Sequence, residues 1–282
     1  APLAAAGLAR VAGAAAAAAP NASAAARSSG CYEHSDRAYE LDWKAEGASF
    51  FDEANWEFTA YNGDHGEPRP ASQYVLREEA LASGAVEAHE THAIVRTGPV
   101  WSGDASKRTS VKIQTQGKHE WKYFLAAMRY THLPWGCGTW PAFWLLSRER
   151  PWPFAGEFDI VETANNLPAY TSLHTGPYGN RCALLPPVVN KPGCPWMQDF
   201  NGMGYSCVTD YRHGQTGCAV NAGPLLAPEA LSSRPGVVAL EWTERYLKTF
   251  FIPEGHIEDA AGLSEDQPAP DAWDQWVTSY YP

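Results

Sequence analysis

Apolar and polar residues alternate over short stretches of this chain, and Gly and Pro separate the stretches. Alternation with a period of two is typical of β-strands that bury one face, and long segments with the 3.6-residue period of a helix are few. The pattern predicts strands at residues 92–96, 110–116, 120–130, 141–146, 157–162, 170–175, 237–242 and 245–252. Because no helices alternate with these strands, we expect an all-β fold of sequential antiparallel strands packed as two sheets.

One predicted strand carries three carboxylates, Glu157, Asp159 and Glu162. Side chains alternate faces along a regular strand, so Glu162 would point away from the other two acids. A β-bulge near Ile160 and Val161 places all three acids on one face and turns apolar neighbours toward a core. Like charges so close raise one another's pKa, which suits chemistry that needs an acid beside a base. The alternative is a solvated strand edge that bears acids by chance.

Aromatic residues and a histidine flank these carboxylates on both sides. Trp140 and Trp144 precede them and are four residues apart, so both should share the face of the acids. Trp152 comes just before the acids, and His174 follows them. Sugar rings present flat apolar faces rimmed by hydroxyls, so aromatic platforms beside hydrogen-bonding groups favour a carbohydrate cleft.

The central block resembles a known family. GCGTWPAFWLL at 136–146, WPFAGEFDIVETANN at 152–166 and SLHT at 172–175 are similar to motifs of the laminarinase-like, endo-β-1,3-glucanase branch of glycoside hydrolase family 16. Weaker similarity at 107–113 and 62–66 extends the resemblance over roughly residues 39–282. It implies a β-jelly roll sandwich of two antiparallel sheets with a concave substrate cleft.

The resemblance also implies residue roles. Glu157 would be the nucleophile, Glu162 the acid/base, and Asp159 the group that lies between them and adjusts their protonation. The substrate-binding residues would be Trp140, Trp144, Trp152, Asn165 and His174. Retention of configuration needs the two working carboxyls about 5 Å apart, and such a pair should titrate as a unit with a bell-shaped pH profile.

The implied activity is retaining endo-hydrolysis of a β-1,3-glucan or a mixed β-1,3/1,4-glucan, with the polysaccharide as partner and no cofactor. Two alternatives remain open. One is a glucan-binding relative that does not hydrolyse, although such relatives typically lose one or more of the acids that this chain keeps. The other is a transglycosylase, which uses the same acids but resolves the intermediate with a sugar.

Composition narrows the possible partners. The net charge is −11, from 32 acidic and 21 basic residues, which argues against nucleic acid or an anionic membrane as a partner. No metal is expected, because His89 and His92 are one residue too close for an H-E-x-x-H zinc helix. Of the 12 Trp, the interpretation for Trp43, Trp56, Trp242 and Trp276 is that they are core residues.

The cysteine spacing favours disulfides in an oxidising compartment over zinc, so we expect a secreted protein. We also expect a monomer. The six cysteines are Cys31, Cys137, Cys182, Cys194, Cys207 and Cys218. The last four permit three pairings, and Cys137 is interpreted as a disulfide partner or a buried free thiol. Residues 182–224 should form a long insertion over one end of the cleft.

We divide the chain into an Ala-rich, disordered or targeting segment at 1–30, with a glycosylation sequon at Asn21, and a β-jelly roll hydrolase domain at 31–282. The run of Ala is too short and weakly apolar for a membrane span. Three features depart from the family pattern. The chain stops where relatives continue, so C-terminal strands would be missing; Thr163-Ala164 replaces a usual Gly; and Lys112 stands where relatives often have Arg.

Overall fold

The computed structural model describes residues 31–60, 72–117, 119–176, 206–221 and 232–282, together with 8–13; of residues 8–13 and 221 it describes the backbone alone. These parts of the chain form eighteen strands, one short α-helix, α1 (Arg77–Ala82), and several single-turn 3-10 helices. The strands are β1 (Leu8–Gly13), β2 (Glu40–Ala45), β3 (Trp56–Phe58), β4 (Ser72–Tyr74), β5 (Val86–Ala88), β6 (Ala93–Val95), β7 (Arg108–Ser110), β8 (Ile113–Thr115), β9 (Phe124–Tyr130), β10 (Ala142–Leu146), β11 (Glu157–Glu162), β12 (Tyr170–His174), β13 (Thr209–Asp210), β14 (Gln215–Thr216), β15 (Cys218–Asn221), β16 (Gly236–Trp242), β17 (Leu247–Pro253) and β18 (Val277–Tyr281).

Two antiparallel sheets form the body of the fold. The larger has the order β18-β17-β16-β9-β1-β2, and the smaller has the order β10-β11-β12-β15. Together they form the β-jelly roll sandwich that the sequence predicts. Four two-stranded ladders add to the sheets, and one of them, β4 with β7, is parallel.

Alternation along the strands explains how the sheets pack. Between the sheets, alternate residues of the larger sheet meet the smaller one, and the core there includes Phe124, Ala126, Phe158, Ile160 and Leu240. The intervening residues face outward and pack in a second core that includes Leu125, Ala127, Ala239, Phe250 and Ile252. Strands β9, β16, β17 and β18 are therefore buried on both faces, and Tyr32, Tyr39 and Trp273 lie in the outer core.

A buried ion pair lies on that outer face. Glu241 on β16 stands directly opposite Lys248 on β17, and both side chains are fully buried. Glu241 accepts hydrogen bonds from Ser35 Oγ at 2.7 Å, Tyr39 OH at 2.9 Å and Tyr246 OH at 2.9 Å. Lys248 Nζ donates to the carbonyl of Glu33 at 2.8 Å and lies 3.9 Å from Asp274 Oδ1. We call Glu241, Lys248 and Asp274 the outer cluster.

The prediction for the tryptophans is confirmed. Trp43 and Trp276 are buried, and Trp56 and Trp242 are partly buried against the core between the sheets. Cys207 and Cys218 form a disulfide, and Cys31 is also disulfide-bonded. Cys137 is free, as one interpretation held, but it is exposed rather than buried, because it lies in the turn before β10.

Part of the Ala-rich segment differs from expectation. Residues 8–13, interpreted as part of a disordered or targeting segment, form a strand that pairs with β9 and β2. Residues 14–30 with the sequon, residues 62–66, Cys182, Cys194 and most of 182–224 lie outside the described residues. The domain division at residue 30 stays a prediction.

Candidate active site

The three acids share one strand, β11, and its pairing contains the predicted bulge. Along β12, Ser172 pairs with Asp159 and Tyr170 with Glu162, so one residue, Thr171, faces both Ile160 and Val161. The pairing with β10 shifts at the same place, since Phe143 pairs with Val161 and Trp144 with Asp159. Ile160 and Val161 are both buried, in the core between the sheets and in a smaller neighbouring core. The extra residue therefore gives Glu162 the face of Glu157 and Asp159.

Two hydrogen bonds fix the bulge from behind. Thr171 Oγ1 donates to the carbonyl of Ile160 at 3.2 Å, and Tyr281 OH donates to the carbonyl of Thr171 at 2.6 Å. The Tyr281 ring also packs edge-on against Phe158, with ring centroids 5.3 Å apart. Because Tyr281 belongs to β18, the larger sheet supports the strand that carries the acids.

Each acid has its own partner on the cleft face. Trp152 Nε1 donates to Glu157 Oε2, and Trp140 Nε1 donates to Glu162 Oε1 at 2.5 Å. Asp159 is buried, and its Oδ2 lies 3.3 Å from His174 Nε2. We call Glu157, Asp159, Glu162 and His174 the cleft cluster.

Burial and mutual charge raise the proton affinity of this cluster. Burial, followed by the charge of Asp159, raises the pKa of Glu157 to about 7 and that of Glu162 to about 7. Burial lowers the pKa of His174, but the hydrogen bond to Asp159 and the charges of the three acids outweigh it, so the pKa lies above its ordinary value. Near neutral pH the two glutamates therefore change protonation together, which is the behaviour of an acid/base pair.

The tryptophans that flank the acids lie on the same face. Trp140 is 67% exposed even though its indole nitrogen is bonded to Glu162. Trp144 is partly exposed, and the ammonium of Lys112 lies 5.1 Å from its ring centroid. The Trp152 ring stacks on Tyr211 with centroids 5.5 Å apart. Indole rings therefore lie beside both ends of the strand that carries the acids, Trp152 at Glu157 and Trp140 at Glu162.

Asn165 has a structural partner in this arrangement. Its backbone has a φ of 55°, and its Oδ1 accepts a hydrogen bond from the backbone nitrogen of Gly138 at 2.8 Å. The turn 136–140 that carries Trp140 is held by this bond and by backbone bonds of Asn165 to Gly136 and Thr139. In the structure the side-chain oxygen of Asn165 stabilises the turn that carries Trp140. Contact of Asn165 with substrate stays a prediction.

Sequence reasoning predicted an insertion at 182–224 over one end of the cleft, but it missed the hairpin within this range that packs beside His174. Thr209 Oγ1 lies 3.1 Å from His174 Nδ1, and the hairpin β13–β14 that carries Thr209 lies between the disulfide partners Cys207 and Cys218. Gly217 has a φ of 88°, and a Cβ there would lie 2.7 Å from His174 Nδ1. Only glycine fits this conformation and approach. The nearest sequence signal was the cysteine spacing, which does not specify the pairing.

Neither a metal centre nor a membrane-spanning helix is found in the part of the chain that the structure describes. Its His, Cys, Asp and Glu side chains form no group of three or more that could hold a metal ion. None of its helices is long and apolar enough to cross a membrane.

Comparison with models of protein families assigns the chain to one family. Residues 58–282 match the model described as XgeA-like, catalytic GH16 domain. Because this match covers well over half of the sequence, the chain belongs to glycoside hydrolase family 16. The family predicted from the motifs is confirmed.

Curated relatives agree with this assignment. A probable glycosidase of Schizosaccharomyces pombe is 26% identical over 254 residues, which cover 86% of this chain and 54% of that protein. An endo-1,3(4)-beta-glucanase of Arthroderma benhamiae is 28% identical over 221 residues, which cover 74% of this chain and 41% of that protein. The chain therefore spans about half the length, or less, of the curated relatives it matches.

A solved structure has a similar fold. Laminarinase 16A of Phanerochaete chrysosporium, a GH16 enzyme determined with 6-O-glucosyl-laminaritriose in its donor and acceptor sites, superposes with a TM-score of 0.68 at 25% identity. The superposition covers 87% of this chain and 78% of that one.

Proposed function

We propose that this chain is the catalytic domain of an endo-acting β-glucanase that hydrolyses β-1,3-glucan or mixed β-1,3/1,4-glucan with retention of configuration. The observation that carries the proposal is the bulge in β11, which gives Glu157, Asp159 and Glu162 one common face. The printed names of the relatives, endo-1,3(4)-beta-glucanase and laminarinase, support the substrate class.

In the proposed first step, Glu157 acts as the nucleophile. Its carboxylate attacks the anomeric carbon, the bond from that carbon to the glycosidic oxygen breaks, and Glu162 gives its proton to the leaving oxygen. The pKa of Glu162, raised to about 7, keeps a proton available for this transfer. The Trp152 N–H bond to Glu157 favours the charged form of the nucleophile.

In the second step, water releases the sugar. Glu162, now a carboxylate, accepts a proton from water as the water oxygen attacks the anomeric carbon, and Glu157 leaves as a carboxylate. Asp159 and His174 lie between and beside the two glutamates. The hydrogen bond between Asp159 and His174 would let these two residues compensate for the change in charge when a glutamate gains or loses its proton. Thr209 Oγ1 lies at the other ring nitrogen of His174 and holds the imidazole in place.

The indoles would bind the polysaccharide. Trp140 and Trp144 offer partly exposed faces beside the acids, and Trp152 offers its own beside Tyr211. These faces match the apolar faces of glucose rings, and Asn165 and His174 would contribute polar contacts. A secreted monomer is part of the same proposal, since the Cys207–Cys218 disulfide is typical of oxidising compartments.

The product pattern on laminarin tests this function. We expect a ladder of short laminarioligosaccharides from laminarin, activity on a mixed-linkage glucan, and none on a β-1,4-glucan. Proton NMR of the first products should show the β-anomer before mutarotation. The variant Glu157→Ser should bind laminarin without releasing sugars.

Other outcomes separate the alternatives. Binding of laminarin by the wild type without any cleavage would favour a recognition protein. Products longer than the starting oligosaccharide would favour a transglycosylase. Release of the α-anomer would overturn the retaining mechanism.

A further inference from the structure

The two glutamates have nearly the same surroundings, although the proposed reaction needs them in opposite protonation states. Both are partly buried, one at each end of β11. Each accepts a hydrogen bond from one indole N–H, that of Trp152 for Glu157 and that of Trp140 for Glu162. Burial and the charge of Asp159 raise the pKa of each to about 7. These shared features do not decide which glutamate keeps the proton, so the decision must come from a group that acts on the two unequally.

Lys112 and Trp144 point away from the core between the sheets for the same reason. Lys112 lies just before β8, and its neighbours Val111 and Ile113 both pack against that core. The two neighbours of Trp144 along β10 pack against the same core. Because side chains alternate along extended chain, Lys112 and Trp144 are directed to the opposite side, as the acids on β11 are.

Two aromatic rings hold the ammonium group of Lys112. Its Nζ lies 5.1 Å from the ring centroid of Trp144 and 5.9 Å from that of Tyr74. A cation within about 6 Å of a ring centroid is attracted by the ring quadrupole. Trp144 pairs with Asp159 on the neighbouring strand β11. The rings are uncharged, so they fix the ammonium near the strand of acids without neutralising it.

The charge of Lys112 distinguishes the two glutamates. Asp159 raises the pKa of both, and His174 lowers the pKa of both. Lys112 lowers the pKa of Glu157, whereas it is not among the groups with the largest effects on Glu162. The negative charge of Glu157 in turn raises the pKa of Glu162. A cation that favours ionised Glu157 therefore also favours a proton on Glu162.

We propose that Lys112 is a positioning residue that decides which glutamate is the nucleophile: its ammonium, held by the rings of Trp144 and Tyr74, keeps Glu157 ionised and leaves the proton on Glu162. This inference rests on the proposed function, because it takes the two glutamates as nucleophile and acid/base. Lys112 acts through the charge of Glu157 and takes no part in the bonds that form and break. Since only the positive charge is needed, arginine should replace lysine here.

The pH dependence of kcat/KM on laminarin, measured with the full chain, tests the role of Lys112. In Lys112→Met the nucleophile loses its cation and holds its proton more tightly, so the acidic limb should move to higher pH by about half a unit. The maximum should fall about threefold, because more of the singly protonated molecules carry the proton on Glu157. Lys112→Gln, a second neutral variant, should behave like Lys112→Met, and Lys112→Arg should restore the wild-type profile.

The matched control is Lys122→Met. The Lys122 ammonium lies 5.0 Å from the ring centroid of Tyr123, so it is also a cation held on an aromatic ring. Its charge is not among the groups with the largest effects on Glu157 or Glu162. The pH profile of this variant should match that of the wild type.

A titration by carbon-13 NMR measures the same effect without turnover. In protein that carries Glu162→Gln, the side-chain carboxyl signal of Glu157 reports the pKa of this residue alone, and Glu157→Gln identifies the signal. Adding Lys112→Met should raise this pKa by about half a unit, and adding Lys112→Arg should leave it unchanged.

The two proposals fail in different ways. An unchanged titration of Glu157 in Lys112→Met overturns the role of Lys112, even if activity falls equally at every pH, and hydrolysis of laminarin by the wild type still stands. The same shift in Lys122→Met, or no restoration by Lys112→Arg, overturns it as well. Lack of hydrolysis by the wild type overturns the proposed function, and the NMR titration still decides whether Lys112 controls the charge of Glu157.

Discussion

The cleft cluster and the outer cluster both bury charged side chains on strands, but their charges are balanced differently. In the outer cluster Lys248 lies 3.8 Å from Glu241 and 3.9 Å from Asp274, and three hydroxyls donate to Glu241. In the cleft cluster His174 is hydrogen-bonded to Asp159, and the charges of all three carboxylates act on this one imidazole. Buried charges are costly unless they are paired and hydrogen-bonded. Glu241 and Lys248 of the outer cluster meet this condition and stabilise the fold, whereas the cleft cluster meets it incompletely, so its glutamates stay partly protonated near neutral pH.

The largest effect should come from the nucleophile. Glu157→Gly should lower hydrolysis of laminarin by about 10⁴-fold or more, since no other group can form the covalent intermediate. With laminaribiosyl β-fluoride as substrate, added azide should restore turnover by attacking the anomeric carbon from the α face as fluoride leaves, and should give an α-glycosyl azide, which mass spectrometry and NMR identify. Glu162→Gly should give the β-azide instead. Rescue with the opposite configurations would exchange the roles of the two glutamates.

The outer cluster should respond in stability rather than in chemistry. Lys248→Met should lower the free energy of unfolding by about 3 to 5 kcal/mol, because it leaves Glu241 buried without its cation. The pKa of Lys248 is already lowered by burial, against the raising effect of Glu241. Urea unfolding measures the change, and adding Glu241→Gln should recover part of it. A Lys248→Met variant as stable as the wild type would contradict the claim that the charges of the outer cluster stabilise the fold.

The cleft cluster should instead be more stable without its charge. The pKa of Glu162, about 7 in the fold against an ordinary 4.5, means that the native state binds the proton more tightly than the unfolded chain. This contribution to stability is complete below about pH 4.5 and is lost as the pH rises through 7. Glu162→Gln should therefore be more stable than the wild type at pH 8, by about 1 to 3 kcal/mol, and similar at pH 4.5. Thermal unfolding at both pH values checks this, and a difference independent of pH would contradict it.

A smaller effect should come from the support behind the bulge. Tyr281→Phe removes the hydrogen bond to the carbonyl of Thr171 but keeps the ring against Phe158, so Glu162 should be held less firmly. We expect kcat to fall about tenfold with little change in KM, and the pH profile of kcat to shift. Tyr280→Phe is the control, because Tyr280 packs on the outer face with Tyr32 and Tyr246. Equal changes in kcat and in its pH profile for Tyr281→Phe and Tyr280→Phe would indicate that Tyr281 only stabilises the fold.

The cleft cluster was more predictable from sequence than the outer cluster, for a physical reason. Three acids on one short strand can share a face only through an inserted residue, so the bulge at Ile160 and Val161 followed from local geometry. The pairing of Glu241 with Lys248 gave no such signal, since a single charged residue near the end of an apolar strand ordinarily indicates a solvent-exposed position. That face is interior because two other parts of the chain cover it, residues 31–39, which are more than 200 residues away, and residues 257–276.

Contacts between residues far apart in the chain also limited what could be predicted from the sequence in other parts of the molecule. Thr209 reaches His174 across 35 residues, and Tyr211 reaches Trp152 from a hairpin whose disulfide pairing the sequence left open. The parallel pairing of β4 with β7 was also missed, because strands of three residues are too short for a periodic signal. Local pattern thus predicted the catalytic strand, and tertiary contact decided what closes over it.

The disulfide between Cys207 and Cys218 has a practical consequence for anyone who produces this protein. We expect protein made in a reducing host to keep both sheets and strand β11 with its three acids. The hairpin β13–β14, which contacts His174 and Trp152, would however lose the disulfide that closes it. Such a preparation could pass every test for folded protein and still hydrolyse slowly. Assay of free thiols should therefore precede any comparison of turnover between batches.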